Sequence, residues 1–171
     1  MNLYLIRHAD ALALGENGID DDAERPLSDA GKAQAKALAQ ALQRQGVRLD
    51  LVLSSPLLRA KQTAEEMVKY LPEPKPPIQV SDHLTPSVRR KKLSNEVTAV
   101  GKSSVALVGH QPDLSGYAAW LMGEKKAQLD LAKAGVALIQ CDEDPAKGCG
   151  TLLWLVTPAW FGVDGKVKAA I

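Results

Sequence analysis

The chain contains 171 residues with a formal net charge of +1; 46% of them are hydrophobic, 24% are charged and 4% are aromatic. This size and composition predict one globular domain, over residues 1–171, with a single hydrophobic core. A net charge near zero argues against a nucleic-acid or membrane partner, and so few aromatic side chains argue against a surface that stacks bases.

The first predicted element is a short buried strand that begins at Leu3 and leads directly into Arg7 and His8. A cation and an imidazole are poor core material, because burying an unpaired charge is costly. In open α/β sheets, ligands bind at the carboxyl ends of the strands. The end of this strand is therefore the first candidate for a functional site.

A loop over residues 15–26 follows, since this stretch has no hydrophobic periodicity and carries two glycines and five acids. The acids either form a solvated surface loop or provide a lid or a proton source over a site, and the sequence leaves both open. Ser28 is then the predicted N-cap of an amphipathic helix over residues 29–45, which ends at Gly46.

The second strand, over residues 49–53, leads into a helix that begins with an unusual charge. Ser55 is the predicted N-cap and Pro56 the first helical residue, which places Arg59 in or near the first turn. A cation there opposes the helix dipole. Arg59 is either an ordinary surface arginine that pairs with a nearby glutamate, or it binds an anion at the helix start.

The third strand, over residues 78–80, is followed by Asp82 at another strand-to-helix corner. The next helix is predicted over residues 86–100, and it carries the basic run Arg89–Lys92. Such a run is typical of a solvated helix face, and the alternative is a docking patch for an acidic protein partner.

A fourth strand, over residues 104–109, is almost continuously apolar, as buried parallel strands are. It ends at His110, before a further helix. Two more strands, over residues 136–141 and 152–156, are joined by a hairpin-like turn. Strands that alternate with helices predict an α/β layered sheet.

Cysteine usage and the length of the apolar runs bear on the cellular compartment. Cys141 and Cys149 are too few for a disulfide framework and are predicted to be reduced thiols. The N-terminal apolar run is too short for a signal peptide, and no run approaches the roughly 20 residues needed to span a bilayer. We therefore expect a soluble cytoplasmic protein with a surface tail from Phe161 onwards.

The side chains best suited to chemistry follow three of the predicted strands. They are His8 with Arg7, Arg59, and His110, and two of the chain's three histidines are among them. A single histidine at a strand end is more often structural. Two histidines with two arginines at matched corners instead indicate a functional site.

The segment Leu5–Asp10 reads Leu-Ile-Arg-His-Ala-Asp and resembles the N-terminal Arg-His signature of the histidine phosphatase superfamily. Further matching motifs follow in order over about residues 1–157, and the late Leu-Leu-Trp-Leu-Val-Thr-Pro segment looks most like the SixA branch of phosphohistidine phosphatases. The resemblance implies a three-layer α/β/α sandwich with a mostly parallel central sheet, similar to that of phosphoglycerate mutase. The matching segments are Arg25–Ser28, Ser54–Pro56 with Arg59, Gln62–Thr63, and Gly109–Pro112.

The same resemblance implies a role for each residue of the cluster. His8 would be the nucleophile that takes up the phosphoryl group, and Arg7, Arg59 and His110 would surround the phosphate, with Gln111 as a further phosphate-binding residue. Arginine supplies forked, permanently charged donors that match phosphate oxygens, and neighbouring cations favour a neutral, nucleophilic imidazole. No cofactor is expected, and no cluster of His, Cys or acids has the spacing of metal ligands.

The general acid is not evident from the sequence. Larger members of the family place an acid near the site to protonate an alkoxide leaving group, and the candidates here are Asp82, Asp10 and the loop acids Asp20, Asp21 and Asp22. A phosphoramidate such as phosphohistidine releases imidazole, a better leaving group than an alkoxide, and depends less on an acid. This favours phosphohistidine over a sugar phosphate as the substrate.

The sequence therefore predicts a metal-independent phosphatase that works through phospho-His8 and acts on phosphohistidine in a phosphorelay protein of the histidine-phosphotransfer type. Two alternatives remain open. One is a phosphomonoesterase that acts on a small phosphorylated metabolite, and the other is a module that binds a phosphorylated partner without turnover. No long helical insertion that could cover the site is evident, which favours access for a protein substrate.

Overall fold

The computed structural model describes residues 1–87, 89–124 and 127–162, which form a mixed six-stranded sheet with α-helices on both faces. The strands lie in the order β3-β2-β4-β1-β5-β6. In chain order, the elements are β1 (Asn2–Arg7), α1 (Asp29–Arg44), β2 (Leu51–Ser54), α2 (Leu58–Lys69), β3 (Ile78–Val80), α3 (Arg90–Val100), β4 (Ser104–Gly109), α4 (Asp113–Leu121), β5 (Val136–Cys141) and β6 (Gly150–Val156). Short 3-10 helices cover Glu16–Gly18, Asp22–Glu24, Asp82–Leu84 and Pro158–Phe161.

Side chains alternate between the two faces of the sheet, so the strands contribute to two cores. On one face, Leu3 and Leu5 of β1 belong to a buried cluster with residues of α3 and α4. On the other face, Tyr4 and Ile6 belong to a cluster with residues of α1 and α2. Because β1, β2 and β4 are covered on both sides, their sequences are nearly continuously apolar. The predicted α/β/α architecture is confirmed.

The parallel strands end at one edge of the sheet. β1, β2 and β3 run in the same direction as β4, with Arg7 opposite Gly109 and Ser54 opposite Val108. The residues that directly follow β1, β2 and β4 therefore meet at this edge, which we call the carboxyl edge.

β5 and β6 complete the sheet as an antiparallel pair, and β5 is also antiparallel to β1. The turn between β5 and β6 confirms the predicted hairpin-like connection. Cys141, at the end of β5, and Cys149, just before β6, are both free thiols.

The start of α2 differs from the prediction. The helix begins at Leu58, and Leu57 rather than Ser55 is its N-cap. Ser55 still extends the parallel pairing of β2, since its backbone N–H donates to the carbonyl of Val108 at 2.9 Å. The predicted capping role of Ser55 was therefore wrong, although Arg59 does lie in the first turn.

The start of α3 and the predicted C-terminal tail also differ from the expectations based on the sequence. α3 begins at Arg90, because residues 82–84 first form a 3-10 helix and Ser87 has a positive φ of 74°. Phe161 is not part of a surface tail but packs against the core on the α1 side; residues 163–171 of the predicted tail lie outside the described residues. Within the described residues, no helix is long and apolar enough to cross a membrane.

Candidate active site

The carboxyl edge of the sheet brings His8 and His110 together. The backbone N–H of His8 donates to the carbonyl of Gly109 at 2.9 Å, which continues the pairing of β1 with β4 for one more residue. The two imidazole rings lie with their centroids 5.1 Å apart, and both side chains are buried. Residues about one hundred positions apart in sequence thus share one site because parallel strands end in register.

The surroundings of His8 determine which of its ring nitrogens is available. Nδ1 lies 2.7 Å from the backbone carbonyl of Ala9, and a carbonyl oxygen can only accept a hydrogen bond. Nδ1 therefore carries the proton, which leaves Nε2 with a free lone pair. Burial lowers the pKa of His8 to about 3, and the nearby charges of His110, Arg59 and Arg7 contribute to this decrease. At neutral pH, His8 is therefore uncharged, and the lone pair of Nε2 is available to an electrophile.

His110 is held by Ser55, which the sequence pattern predicts as the N-cap of α2. Its Nε2 lies 2.9 Å from Ser55 Oγ, and the same oxygen accepts a hydrogen bond from the backbone N–H of Leu57 at 3.3 Å. Burial, followed by the charge of Arg59, lowers the pKa of His110 to about 4. If the Ser55 hydroxyl donates to Nε2, the proton of the neutral ring resides on Nδ1, which can then donate to a ligand.

Arg59 enters the site from the first turn of α2. Arg59 is only 5% exposed. One turn later in α2, the Thr63 hydroxyl donates to the Arg59 carbonyl at 2.6 Å. The Thr63 Oγ1 also accepts the backbone N–H of Ala9 at 3.0 Å. Thr63 therefore fastens the first turn of α2 to the chain that follows β1, and it fixes Arg59 relative to His8. Nothing in the sequence pattern alone distinguished Thr63 beyond its presence in a matching motif.

Arg7 enters from the end of β1 and is oriented by the segment before β5. Its Nη1 donates to the carbonyl of Leu131 at 3.0 Å. The backbone N–H of Ala134 lies 3.1 Å from the Arg7 carbonyl and 3.2 Å from that of His8, so this segment holds both residues. The sequence did not reveal this contribution, because it comes from backbone atoms.

Three buried side-chain nitrogens lack a hydrogen-bond partner among the described residues, and all three lie in this cluster. They are Nε of Arg7, Nε of Arg59 and Nδ1 of His110. A buried donor without an acceptor costs roughly 1–3 kcal/mol. Unpartnered N–H donors on two guanidinium groups, together with a neighbouring imidazole nitrogen, match an oxyanion with several acceptor oxygens.

The acids predicted as candidates for the general acid differ in their positions and hydrogen-bond partners. Asp10 accepts hydrogen bonds from Ser28 Oγ at 2.6 Å and from Lys133 Nζ at 2.6 Å. Burial by itself raises the pKa of Asp10, but the hydrogen bonds from Lys133 and Ser28 outweigh it and hold the pKa below its ordinary value. Asp10 is thus an ionised structural anchor for the N-terminus of α1 rather than a proton donor.

The remaining acid candidates lie on exposed segments. Asp82 is exposed in the 3-10 helix after β3, where Ser81 is the N-cap, and Asp20 is exposed in the acidic loop. Asp22, in contrast, lies directly on Arg59: Oδ2 accepts from Nη2 at 3.0 Å and the Asp22 carbonyl accepts from Nη1 at 2.6 Å. The acidic loop therefore reaches the site through Asp22, which the sequence alone does not distinguish from the other loop acids.

Gln111 lies beside the cluster, but its amide is used elsewhere. Its Oε1 accepts from the backbone N–H and the hydroxyl of Ser115, at 3.1 and 2.8 Å, and its Nε2 donates to the Leu129 carbonyl at 3.3 Å. Both ends of the amide thus organise the start of α4 and its neighbouring segment, and one N–H of Nε2 remains for a ligand, so phosphate binding by Gln111 stays a prediction.

The basic run Arg89–Lys92 lies at the start of α3 and is exposed. No acid occupies the first turn of this helix, and within the described part of the chain no carboxylate forms an ion pair with the run. Arg90 and His110 line the same small pocket. The run therefore begins next to the site.

Other features of the surface do not add to the chemistry. An apolar cavity of about 290 Å³ between α1 and β6 is lined by Trp154 and Trp160, and none of the predicted site residues lines it. Among the described residues, no group of three or more His, Cys, Asp or Glu side chains could hold a metal ion. The groups suited to chemistry are therefore those at the carboxyl edge.

Comparison with known proteins gives concordant results. Residues 3–85 match the family model of the histidine phosphatase superfamily (branch 1). The chain is 31% identical to phosphohistidine phosphatase SixA of Escherichia coli K12, over 92% of this chain and 94% of that protein. It is 35% identical to an uncharacterized protein of Picosynechococcus sp. PCC 7002, over 94% of this chain and 99% of that protein. The structure of the protein histidine phosphatase SixA complexed with tungstate superimposes with a TM-score of 0.80 at 31% identity, over 93% of this chain and 98% of that chain.

Proposed function

The chain belongs to the histidine phosphatase superfamily, and we propose that it is a metal-independent phosphatase that forms a phosphohistidine intermediate on His8 and acts on phosphohistidine carried by a signalling protein. The observation that carries this proposal is the set of three unpartnered buried nitrogens beside His8. Phosphoryl transfer requires the protein mainly to position the phosphoryl group and to stabilise charge on its three equatorial oxygens. Arg7, Arg59 and His110 offer donors of the required number and type.

The proposed reaction has two displacements. In the first, Nε2 of His8 attacks phosphorus, the P–N bond of the substrate breaks, and the electron pair leaves with the substrate imidazole, which takes a proton from water. In the second, water attacks phosphorus and the bond from phosphorus to Nε2 breaks, which releases inorganic phosphate and restores His8. Splitting the reaction through a covalent intermediate replaces one difficult step with two easier ones.

The environment of the acids supports a phosphoramidate as the substrate. Asp10 and Asp22, two acids that contact residues of the site or its supporting segments, both have a lowered pKa and are held in ion pairs. Neither is suited to protonate an alkoxide at neutral pH. An imidazole leaving group depends less on protonation by a general acid than an alkoxide does. We expect kcat/KM to be higher for a phosphoramidate than for an alkyl phosphate, and the reverse order would favour a phosphomonoesterase instead.

A protein substrate is supported by the position of the basic run. Arg89–Lys92 is exposed and begins beside the His110 pocket, so an acidic surface that surrounds the phosphorylated histidine could contact it. Phosphorelay proteins of the histidine-phosphotransfer type are the proposed partners.

The decisive experiment removes the nucleophile. His8→Ala should lower kcat on a phosphohistidine protein by at least about 1,000-fold and abolish the phosphoenzyme trapped by rapid quench, because no other group occupies the position of Nε2. His83→Ala is the control, since His83 lies in the 3-10 helix after β3 and its change should leave both readouts intact. Turnover retained by His8→Ala would refute the mechanism. Tight phosphate binding by the wild type without a phosphoenzyme would instead indicate a binding module.

A further inference from the structure

Asp22 of the acidic loop contacts the site through hydrogen bonds and an ion pair with Arg59. We propose that Asp22 is a positioning residue that holds the Arg59 guanidinium in the orientation in which it binds the transferred phosphoryl group. This inference rests on the proposed function only in taking the bound group to be phosphoryl. The inference assigns a role to the acidic loop, which takes no part in the proposed chemistry of the two histidines.

The hydrogen bonds from Arg59 leave the guanidinium able to bind a second anion. Of its five N–H donors, Asp22 takes two, one on each terminal nitrogen, through the backbone carbonyl and Oδ2. The remaining donors include Nε, which is buried and has no partner among the described residues. A phosphate can therefore bind to Nε and a terminal nitrogen while Asp22 keeps its hold. Asp22 and a bound phosphate therefore use different N–H groups of Arg59.

Asp22 is itself held firmly, although its side chain is 56% exposed. Its Oδ1 accepts from Arg25 Nη1 at 2.9 Å, and Arg25 Nε donates to the Leu12 carbonyl at 2.7 Å. Asp21 caps the 3-10 helix that begins at Asp22, since its Oδ1 accepts the Ala23 N–H at 2.8 Å. A carboxylate fixed from both sides is suited to orienting Arg59, whereas a carboxylate that merely competes with phosphate would need to move away.

The charges agree with this role. The hydrogen bond from Arg25 is the main cause of the lowered pKa of Asp22, and the charge of Arg59 contributes. Asp22 is thus ionised at neutral pH and is shared between two arginines. Its single negative charge leaves this group of three residues with a net positive charge toward a bound phosphate.

The test is the affinity for an inorganic oxyanion, which does not depend on turnover. Calorimetric titration of the full chain with sodium tungstate at pH 7.5 should show a Kd about tenfold higher for Asp22→Asn than for the wild type, because Arg59 loses a charge-assisted hydrogen bond that fixes it. With a phosphoramidate substrate, KM should rise more than kcat falls. Asp22→Glu, which restores the charge, should recover part of the loss.

Glu24→Gln is the matched control, since it removes the same charge from the same 3-10 helix. It should bind tungstate within twofold of the wild type, and both variants should show the thermal midpoint of the wild type. Tungstate binding by Asp22→Asn that is unchanged or tighter would overturn the proposal, and tighter binding would identify Asp22 as a competitor of phosphate. If Asp22→Asn does not fold, Arg25→Gln tests the same link, and unchanged tungstate affinity in that variant would also overturn it. A wild type that binds tungstate but lacks turnover would refute the proposed function and leave this test valid.

Discussion

The two imidazoles show how burial prepares a side chain for chemistry. A histidine in water has a pKa of about 6.5 and would be partly protonated in mildly acidic solution. Burial moves the pKa of His8 to about 3 and that of His110 to about 4. The lone pair of His8 Nε2 therefore remains available well below neutral pH, because the site does not tolerate a further positive charge beside Arg7 and Arg59.

This shift has a consequence for stability that can be measured. Between about pH 6.5 and pH 4, the unfolded chain binds protons at His8 and His110 that the folded chain does not bind, so the free energy of unfolding decreases as the pH falls. At pH 5 the expected loss is about 2 kcal/mol for each histidine, since pH 5 lies roughly 1.5 units below the unfolded pKa. Urea denaturation at pH 7.5 and pH 5.0 measures this decrease in the free energy of unfolding.

Two variants test the origin of this loss. His8→Asn and His110→Asn should each remove about half of this loss. Asp10 and Asp22 have a lowered pKa, so their stabilising contributions are lost only at more acidic pH and do not interfere at pH 5. An equal pH dependence in His8→Asn and the wild type would contradict the neutral, buried state of His8.

At the scale of elements, the start of α1 is constrained by a close approach to the chain that follows β1. Ser28 caps the helix by accepting the Gly31 N–H at 3.0 Å, and it donates its hydroxyl to Asp10. A Cβ at Gly31 would collide with the backbone oxygen of Asp10. Glycine at this position therefore allows the helix to pack within contact distance of a segment two residues from His8.

Gly31→Ala should consequently reduce both stability and activity. We expect the free energy of unfolding to fall by about 1–3 kcal/mol, because a backbone atom cannot move aside as a flexible side chain can. We also expect kcat to decrease, since the displaced Asp10 backbone is linked to His8 through Ala9. Thermal denaturation and steady-state kinetics provide the measurements. Lys32→Ala, an exposed change on the same helix, should stay within about 0.5 kcal/mol, and a fully stable Gly31→Ala protein would contradict the close approach.

At the scale of the whole molecule, a net charge of +1 conceals an uneven distribution. The run Arg89–Lys92 concentrates positive charge beside the carboxyl edge, while Lys102 and Lys147 lie exposed near the opposite edge, where β4 and β6 begin. Charges near a site steer an oppositely charged partner, and salt screens this effect over about 10 Å at 0.1 M ionic strength.

Charge reversal in the run tests whether a protein partner uses it. Lys91→Glu with Lys92→Glu should raise KM for a phosphohistidine protein about tenfold at low salt, and the difference should shrink at about 0.5 M salt. Turnover of a small phosphoramidate should stay within twofold. Lys102→Glu with Lys147→Glu makes the same change in net charge at the opposite edge and should leave KM unaffected. Equal effects of the two pairs would indicate that only the net charge matters.

The sequence was sufficient for the identity of the main elements and for the residues at the strand ends. Periodicity reports burial, so the apolar strands and the α1 face could be predicted, and a cation or imidazole after a buried strand is conspicuous for the same reason. Arg59 also stood out, because a cation in the first turn of α2 opposes the helix dipole. These are local signals, and each can be read without knowledge of the fold.

Only the tertiary structure decided how these residues are held. Ser55 looked like a helix cap and instead contacts His110, Arg7 is oriented by the carbonyl of Leu131, and Asp22 was one acid among several until the fold placed it on Arg59. Each of these contacts joins segments distant in sequence through only one or two hydrogen bonds. Residue type and spacing determine what a segment is inclined to form, whereas a hydrogen bond between two segments depends on distances that are fixed only when the whole sheet and its helices have packed.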